Sequence, residues 1–271
     1  MTSNLSVMNI RGVSKQHCFD SGNKQQHFAA TSVAVFFLYM SICFLYCARV
    51  VFFSGQQTTR KEFCMPFMIL EGGEGSGKDT QIALLKKRLD TERTVFTREP
   101  GGTVVGEKLR SIVLSTEMQP ETEMLIFLAA RAELVRTVIR PALNAGKLVI
   151  SNRFGLSTIA YQIYGRERPH LMPFLEEISK QVLGDIESPH CILLDVSPEI
   201  GLKRVEGRND GKTRFDAELY AFHDRVRQGY LEHYNDNGRG IVIDANAPEK
   251  LVTRQIAEQM KKWGIWNGGT K

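Results

Sequence analysis

Ten residues, "EGGEGSGKDT" (71–80), follow directly on the apolar run "PFMIL", and no other stretch restricts this chain so tightly. The spacing Gly72-x4-Gly77-Lys78 is that of a phosphate-binding loop, given weight by the strand expected before it and the helix expected after it. In such a loop successive backbone N–H groups turn inward and the following helix adds its positive end, so main chain alone can hold a nucleoside triphosphate. Gly72, Gly73, Glu74, Gly75, Ser76, Gly77, Lys78, Asp79 and Thr80 are therefore the candidate triphosphate-binding set. Lys78 supplies a positive charge for the β- and γ-phosphates. One letter departs from the pattern: a Ser or Thr usually follows the lysine, with its hydroxyl on magnesium, and here the residue is Asp79.

From Pro66 onward short branched-apolar runs alternate with amphipathic stretches. "FMILE" (67–71), "TVFTR" (94–98), "KLVISN" (147–152), "CILLDV" (191–196) and "GIVIDA" (240–245) read as buried strands. Helical spacing marks residues 79–90, 105–115, 122–143, 171–183, 198–207, 215–234 and 248–263, with Pro198 and Pro248 suited to first-turn positions. Strands separated by helices predict an α/β domain whose five-stranded parallel sheet is covered on both faces, a P-loop nucleotide-binding architecture.

Three more stretches belong at the carboxyl edge of that sheet, where ligands of such folds bind. In "FTREPGGT" (96–103), Arg98 can grip a phosphate in a fork and Pro100-Gly101-Gly102 bends the chain around it. Alone, an Arg-Glu pair before a turn is more often a surface ion pair. In "ISNRFGLSTIAYQ" (150–162), Arg153 ends the third strand, and helical spacing puts Thr158 on the side of Tyr161 and Gln162. Taken singly, Tyr161 reads as core. Arg204, Arg208, Lys212 and Arg214 surround "GRNDGKTR", a basic loop that reads as a lid over transferring phosphoryl groups.

Composition separates the first 64 residues from the rest. Six basic residues (Arg11, Lys15, Lys24, Arg49, Arg60, Lys61) face only Asp20 and Glu62 there, so most of the net charge of +5 lies outside the body. A nearly neutral body carries no nucleic-acid footprint. Four of the five cysteines lie in the same segment without metal-ligand spacing, and only Cys191 follows, which suits a reducing compartment. Residues 28–48 carry no charge for 21 positions, long enough to span a bilayer as a helix. Three readings compete: a membrane anchor with the body on the cytoplasmic side, sequence upstream of a true start at Met65, or a signal peptide. The last is disfavoured by the length of the apolar run. The expected division is an N-terminal extension, 1–64, and a catalytic body, 65–271.

Taken together, "EGGEGSGK", "FTREPGGT", "EMLIFLAARAELV", "SNRFGLSTIAYQ", "LLDVSPEIGLKR" and the basic lid resemble the bacterial thymidylate kinases over residues 66–260. The resemblance implies a cytoplasmic, homodimeric enzyme that uses Mg-ATP to phosphorylate dTMP. It implies that Phe127 stacks on thymine and Arg131, one turn on, bonds a base carbonyl. Read without the family, those two are a core residue and a helix-surface charge. Arg98 and Arg153 would hold the acceptor phosphate, Thr158 and Gln162 would lie near the base, Tyr161 near the sugar, and Glu74 near its 3′-OH. The family places its transition-state arginine either in the loop or in the lid; Gly75 occupies the loop position, which leaves Arg208 and Arg214. Departures touch the metal: Asp79 replaces a hydroxyl residue, and Asn152 replaces the aspartate that usually precedes the strand-three arginine. Phe154 and Ile163 are milder departures.

Overall fold

The computed structural model describes residues 66–207, 213–235 and 238–266; the apolar stretch 28–48, the 64/65 boundary, Arg208 and Lys212 lie outside them. Among the described residues no helix is long and apolar enough to cross a membrane.

The expected strands form within one residue of their predicted bounds: β1 (Phe67–Glu71), β2 (Thr94–Arg98), β3 (Leu148–Asn152), β4 (His190–Asp195) and β5 (Gly240–Asp244). They pair in parallel in the order β2-β3-β1-β4-β5. The helices are α1 (Lys78–Arg88), α2 (Val104–Ser115), α3 (Pro120–Leu134), α4 (Gly155–Thr158), α5 (Met172–Leu183), α6 (Pro198–Glu206), α7 (Tyr220–His233) and α8 (Glu249–Lys262). Side chains alternate across the central strand. Met68 and Leu70 pack with Ile150, Ile192 and Ile243 against Ile82 and Leu85 of α1 and Ile256 and Met260 of α8. Phe67 and Ile69 pack on the other face with Val149 and Leu134 of α3. Both faces are covered, so every residue of β1 is buried.

Three expectations are corrected. The helix predicted over 122–143 is α3 followed by a π-helical turn, Val135–Ile139, and a last helical stretch, Arg140–Asn144. Pro141 has no N–H and its ring crowds the carbonyl four residues back; widening the turn before it, with Arg140 N–H bonded to Val135 O, relieves that conflict. The helix predicted from 215 begins at Tyr220. There the backbone N–H and hydroxyl of Thr213 both donate to Asp216 Oδ2, at 2.7 and 2.8 Å, so a local side-chain turn displaces the first helical turn. Pro198 does open α6, behind Ser197 as N-cap, but Pro248 is itself the N-cap residue of α8.

In register, Leu70 and Arg98 both lie beside Asn152, so the loops after β1, β2 and β3 leave the sheet together. That common edge positions the site.

Candidate functional site

The loop after β1 is shaped by close backbone contact. Gly75 has φ +69°, and a Cβ there would lie 2.1 Å from the carbonyl oxygen of Gly201 in α6. No side chain fits at 75 with α6 in place, so an arginine cannot stand at that point of the loop. Gly77 precedes α1 in the left-handed region, and Lys78 is the first helical residue. The Lys78 ammonium is buried and donates to Gly72 O (2.9 Å), Gly73 O (2.8 Å) and Ser76 Oγ (3.0 Å). Burial, then the charge of Arg153, push its pKa down to about 7, against the pull of Glu74 and Asp79.

Arg153 clamps the loop to the following helices. It follows β3 with φ +69°, a conformation that an arginine adopts only where its surroundings enforce it. Its Nη1 donates to Gly72 O and Tyr230 Oη, both at 2.9 Å, and its Nη2 to Glu74 Oε1 at 2.8 Å and Tyr161 Oη at 3.1 Å. Tyr161 in turn donates to Glu74 Oε1 at 2.8 Å. Burial pushes the Glu74 carboxyl up, but Arg153, Lys78 and the Tyr161 hydroxyl overcome it and hold the pKa at about 2. Beneath the clamp, the buried Glu71 accepts from the backbone N–H groups of Phe154 (2.8 Å) and Ser157 (3.2 Å). It caps a helix start that has no side-chain cap of its own.

These groups open onto a cleft of about 320 Å³, lined by Glu74, Gly75, Gly77, Lys78, Asp79, Arg98, Phe127, Arg131, Arg153, Thr158, Tyr161 and Gln162 among the expected residues. Gly72, Gly73 and Ser76 stand behind it as acceptors for Lys78, and Thr80 is exposed on α1. Arg131 is no helix-surface charge. It is buried, bonded twice to Glu99 Oε2 (2.9 and 2.7 Å) and once to Thr158 Oγ1 (2.7 Å), with its guanidinium 4.9 Å from the Phe154 ring centre. Phe127 is half-buried, 6.3 Å from the Phe215 ring. Gln162 donates to Glu123 Oε1 at 3.0 Å, which fixes its amide. Arg98 pairs with Glu107 at 2.8 Å rather than with its neighbour Glu99.

Arg214 is not brought into this group. Its guanidinium donates to Val113 O at 2.7 Å and pairs with the buried Glu123. Several cleft or near-cleft residues were not singled out from sequence, among them Glu71, Glu99, Arg110 and Phe215. Glu71 and Glu99 carried a readable signal, a charge at the end of a buried strand or just after one. Arg110, which lines the cleft and donates to Pro100 O at 3.0 Å, resembles any surface arginine of an amphipathic helix. Phe215, which lines the cleft beside Phe127 and Tyr161, is a lone aromatic after a basic run.

The two departures meet at the cleft. Asn152 Nδ2 donates to Asp79 Oδ1 at 2.7 Å, and Asn152 Oδ1 is buried with no hydrogen-bond partner among the described residues. A carboxylate with one oxygen left open beside a phosphate loop fits a hard cation that takes one or two carboxylates and completes its shell with phosphate and water. Among the described residues no group of three or more His, Cys, Asp or Glu is arranged to hold a metal on its own.

Comparison with known proteins agrees with this geometry. The thymidylate kinase family model matches residues 70–256. The chain is similar to a thymidylate kinase of Deinococcus radiodurans, 40% identical over 195 residues that make up 70% of this chain and 93% of that one. A thymidylate kinase of Magnetococcus marinus is 38% identical over 201 residues, 72% of this chain and 95% of the relative. The crystal structure of thymidylate kinase from Ehrlichia chaffeensis superposes with a TM-score of 0.56 at 29% identity, covering 71% of this chain and 97% of the other. A family match over most of the body, joined to a phosphate loop, an arginine-lined cleft and an aromatic wall, leads to one conclusion: the chain belongs to the thymidylate kinase family.

Proposed function

We propose that the chain transfers the γ-phosphoryl group of ATP to the 5′-phosphate of dTMP, releasing dTDP and ADP. One observation carries the reading: a single cleft presents the phosphate loop, Arg98 and Arg153, and the Phe127–Arg131 pair to one another. The loop backbone and the start of α1 hold the donor phosphates. Lys78 exchanges its carbonyl partners for phosphate oxygens, and a pKa of about 7 rises as it meets that anion. Magnesium, when bound with ATP, neutralises the charge on the β- and γ-oxygens; Asp79, with Asn152 beside it, would hold it.

On the acceptor side, Phe127 offers a stacking plane and Arg131 an edge donor, which Glu99 and Thr158 keep in place. Thr158 and Gln162 flank the base, and Tyr161, tied to Glu74, fills the space a ribose hydroxyl would need. Arg98 and Arg110 have guanidinium groups with few internal partners and suit the acceptor phosphate; Arg153 is spent largely on holding the loop. The engagement of Arg214 with Glu123 favours Arg208 as the cation that meets the transferring group.

Residues 65–271 suffice for this activity, with 1–64 dispensable, since the whole motif set lies after Met65. A chain shortened to begin at Met65 should turn over dTMP as fast as the full chain; loss of activity would move the boundary. Homodimerisation, implied by the resemblance, suits the apolar side chains left bare on α2 and α3: Val105, Ile112 and Leu125 are 47%, 46% and 51% exposed.

The direct test is ADP release with dTMP, dUMP, dCMP, dGMP and thymidine in turn. The expected order has dTMP first by a wide margin. Preference for thymidine would make this a nucleoside kinase, and absence of turnover with every acceptor would leave only a nucleotide-binding protein.

A further inference from the structure

We propose that Asn152 is a positioning residue for the Asp79 carboxylate, so that the end of β3 and the first turn of α1 together aim one anionic oxygen at the cation carried by the nucleotide. The inference rests on the reading of the cleft as a magnesium–nucleotide site and adds a second residue to it.

The bond between the two side chains joins positions 73 residues apart at 2.7 Å, with the amide donating to Asp79 Oδ1. Among the described residues no other donor reaches that carboxylate, so Oδ1 is turned toward the amide and Oδ2 is left open to a ligand. Both residues line the cleft, Asp79 next to Lys78. The orientation of the amide is decided by Asp79 alone. Its other end, Oδ1, is buried without a partner, and turning the amide over would set that oxygen against the carboxylate. A carboxylate at 152 would likewise place two negative charges at hydrogen-bond distance. A neutral donor opposite Asp79 avoids both outcomes.

The residue after the loop lysine commonly offers magnesium a neutral hydroxyl. A carboxylate there has two oxygens and a freely turning terminal bond, so it needs a partner to present one oxygen reproducibly. Asn152 supplies that partner, and the charge sits on α1 rather than on the strand. A bond that served only to tie α1 to β3 would affect stability and leave the cation's affinity alone.

The experiment is Mn2+ binding, read by electron paramagnetic resonance on the full chain with a non-hydrolysable ATP analogue, for the parent, Asp79→Ala, Asn152→Ala and the double variant. Because Asn152 acts through Asp79, Asn152→Ala should weaken Mn2+ about tenfold in the parent background, the usual effect of losing a residue that orients a ligand, and should have no further effect once Asp79 is alanine. Additive losses would mean that Asn152 meets the cation independently and would overturn the positioning role. Unchanged Mn2+ affinity in Asp79→Ala would remove Asp79 from the metal site altogether. Turnover of dTMP by the parent, followed separately as ADP release, tells whether the kinase reading itself stands.

Discussion

Arg131 shows how a single residue can be legible in type and not in setting. Its place one turn after Phe127 was readable, but its burial against Glu99 was not, because a 32-residue separation hides the pair from any local pattern. Removing one partner of such a buried pair leaves an uncompensated charge, so Glu99→Ala should cost roughly 3–5 kcal/mol of stability by urea denaturation and raise the KM for dTMP. Phe127→Ala should raise the KM for dTMP about tenfold to a hundredfold, the loss of roughly 1–3 kcal/mol of stacking, with the KM for ATP unchanged. Equal losses for both substrates would make Phe127 a core residue. Glu74 predicts a pH effect. Its folded pKa of about 2 lies below the ordinary 4.5, so between those values the unfolded chain binds more protons. Its contribution is fully present above pH 4.5 and is lost as the pH falls toward 2, an amount of about 3 kcal/mol. In Glu74→Gln that part of the acid destabilisation should be missing when unfolding is followed from pH 6 down to 2.5.

At the level of elements, strands were read more accurately than helices. A buried parallel strand is a short branched-apolar run between breakers, and its ends are set by the same residues that make it visible. Helix ends depend on competing side chains and on proline, which is why the start of α7 and the turn before Pro141 differ from the periodic pattern. The contact between the phosphate loop and α6 was invisible in sequence. Gly201 lies under Glu74 O, and a Cβ there would stand 2.4 Å from that carbonyl. Gly201→Ala should therefore displace the loop, cost about 1–3 kcal/mol as an overpacked contact, and raise the KM for ATP more than that for dTMP. Parallel steady-state titrations of the two substrates decide it; equal effects would mean that α6 moves away and the loop stays.

For the molecule as a whole, the bare Val105, Ile112 and Leu125 predict an assembly that one charge should disrupt. Leu125→Glu should shift the chain from dimer to monomer in sedimentation equilibrium, and a monomeric parent would remove that proposal. The sequence by itself determined the α/β class, the five strands and the phosphate loop, because these rest on local spacing and on glycines whose role follows from the motif. It also placed Arg98 and Arg153 at one edge of the sheet, since the loops after parallel strands leave on a common side; the roles of Phe127 and Arg131 came only from the family resemblance. Tertiary structure alone decided which charges are free and which are spent. Arg153 is consumed by the loop and two tyrosines, Arg214 by Glu123, and Arg131 is held by Glu99. The physical reason is that a charge taken out of water must find a partner, and its partner here comes from a distant segment brought close only by folding.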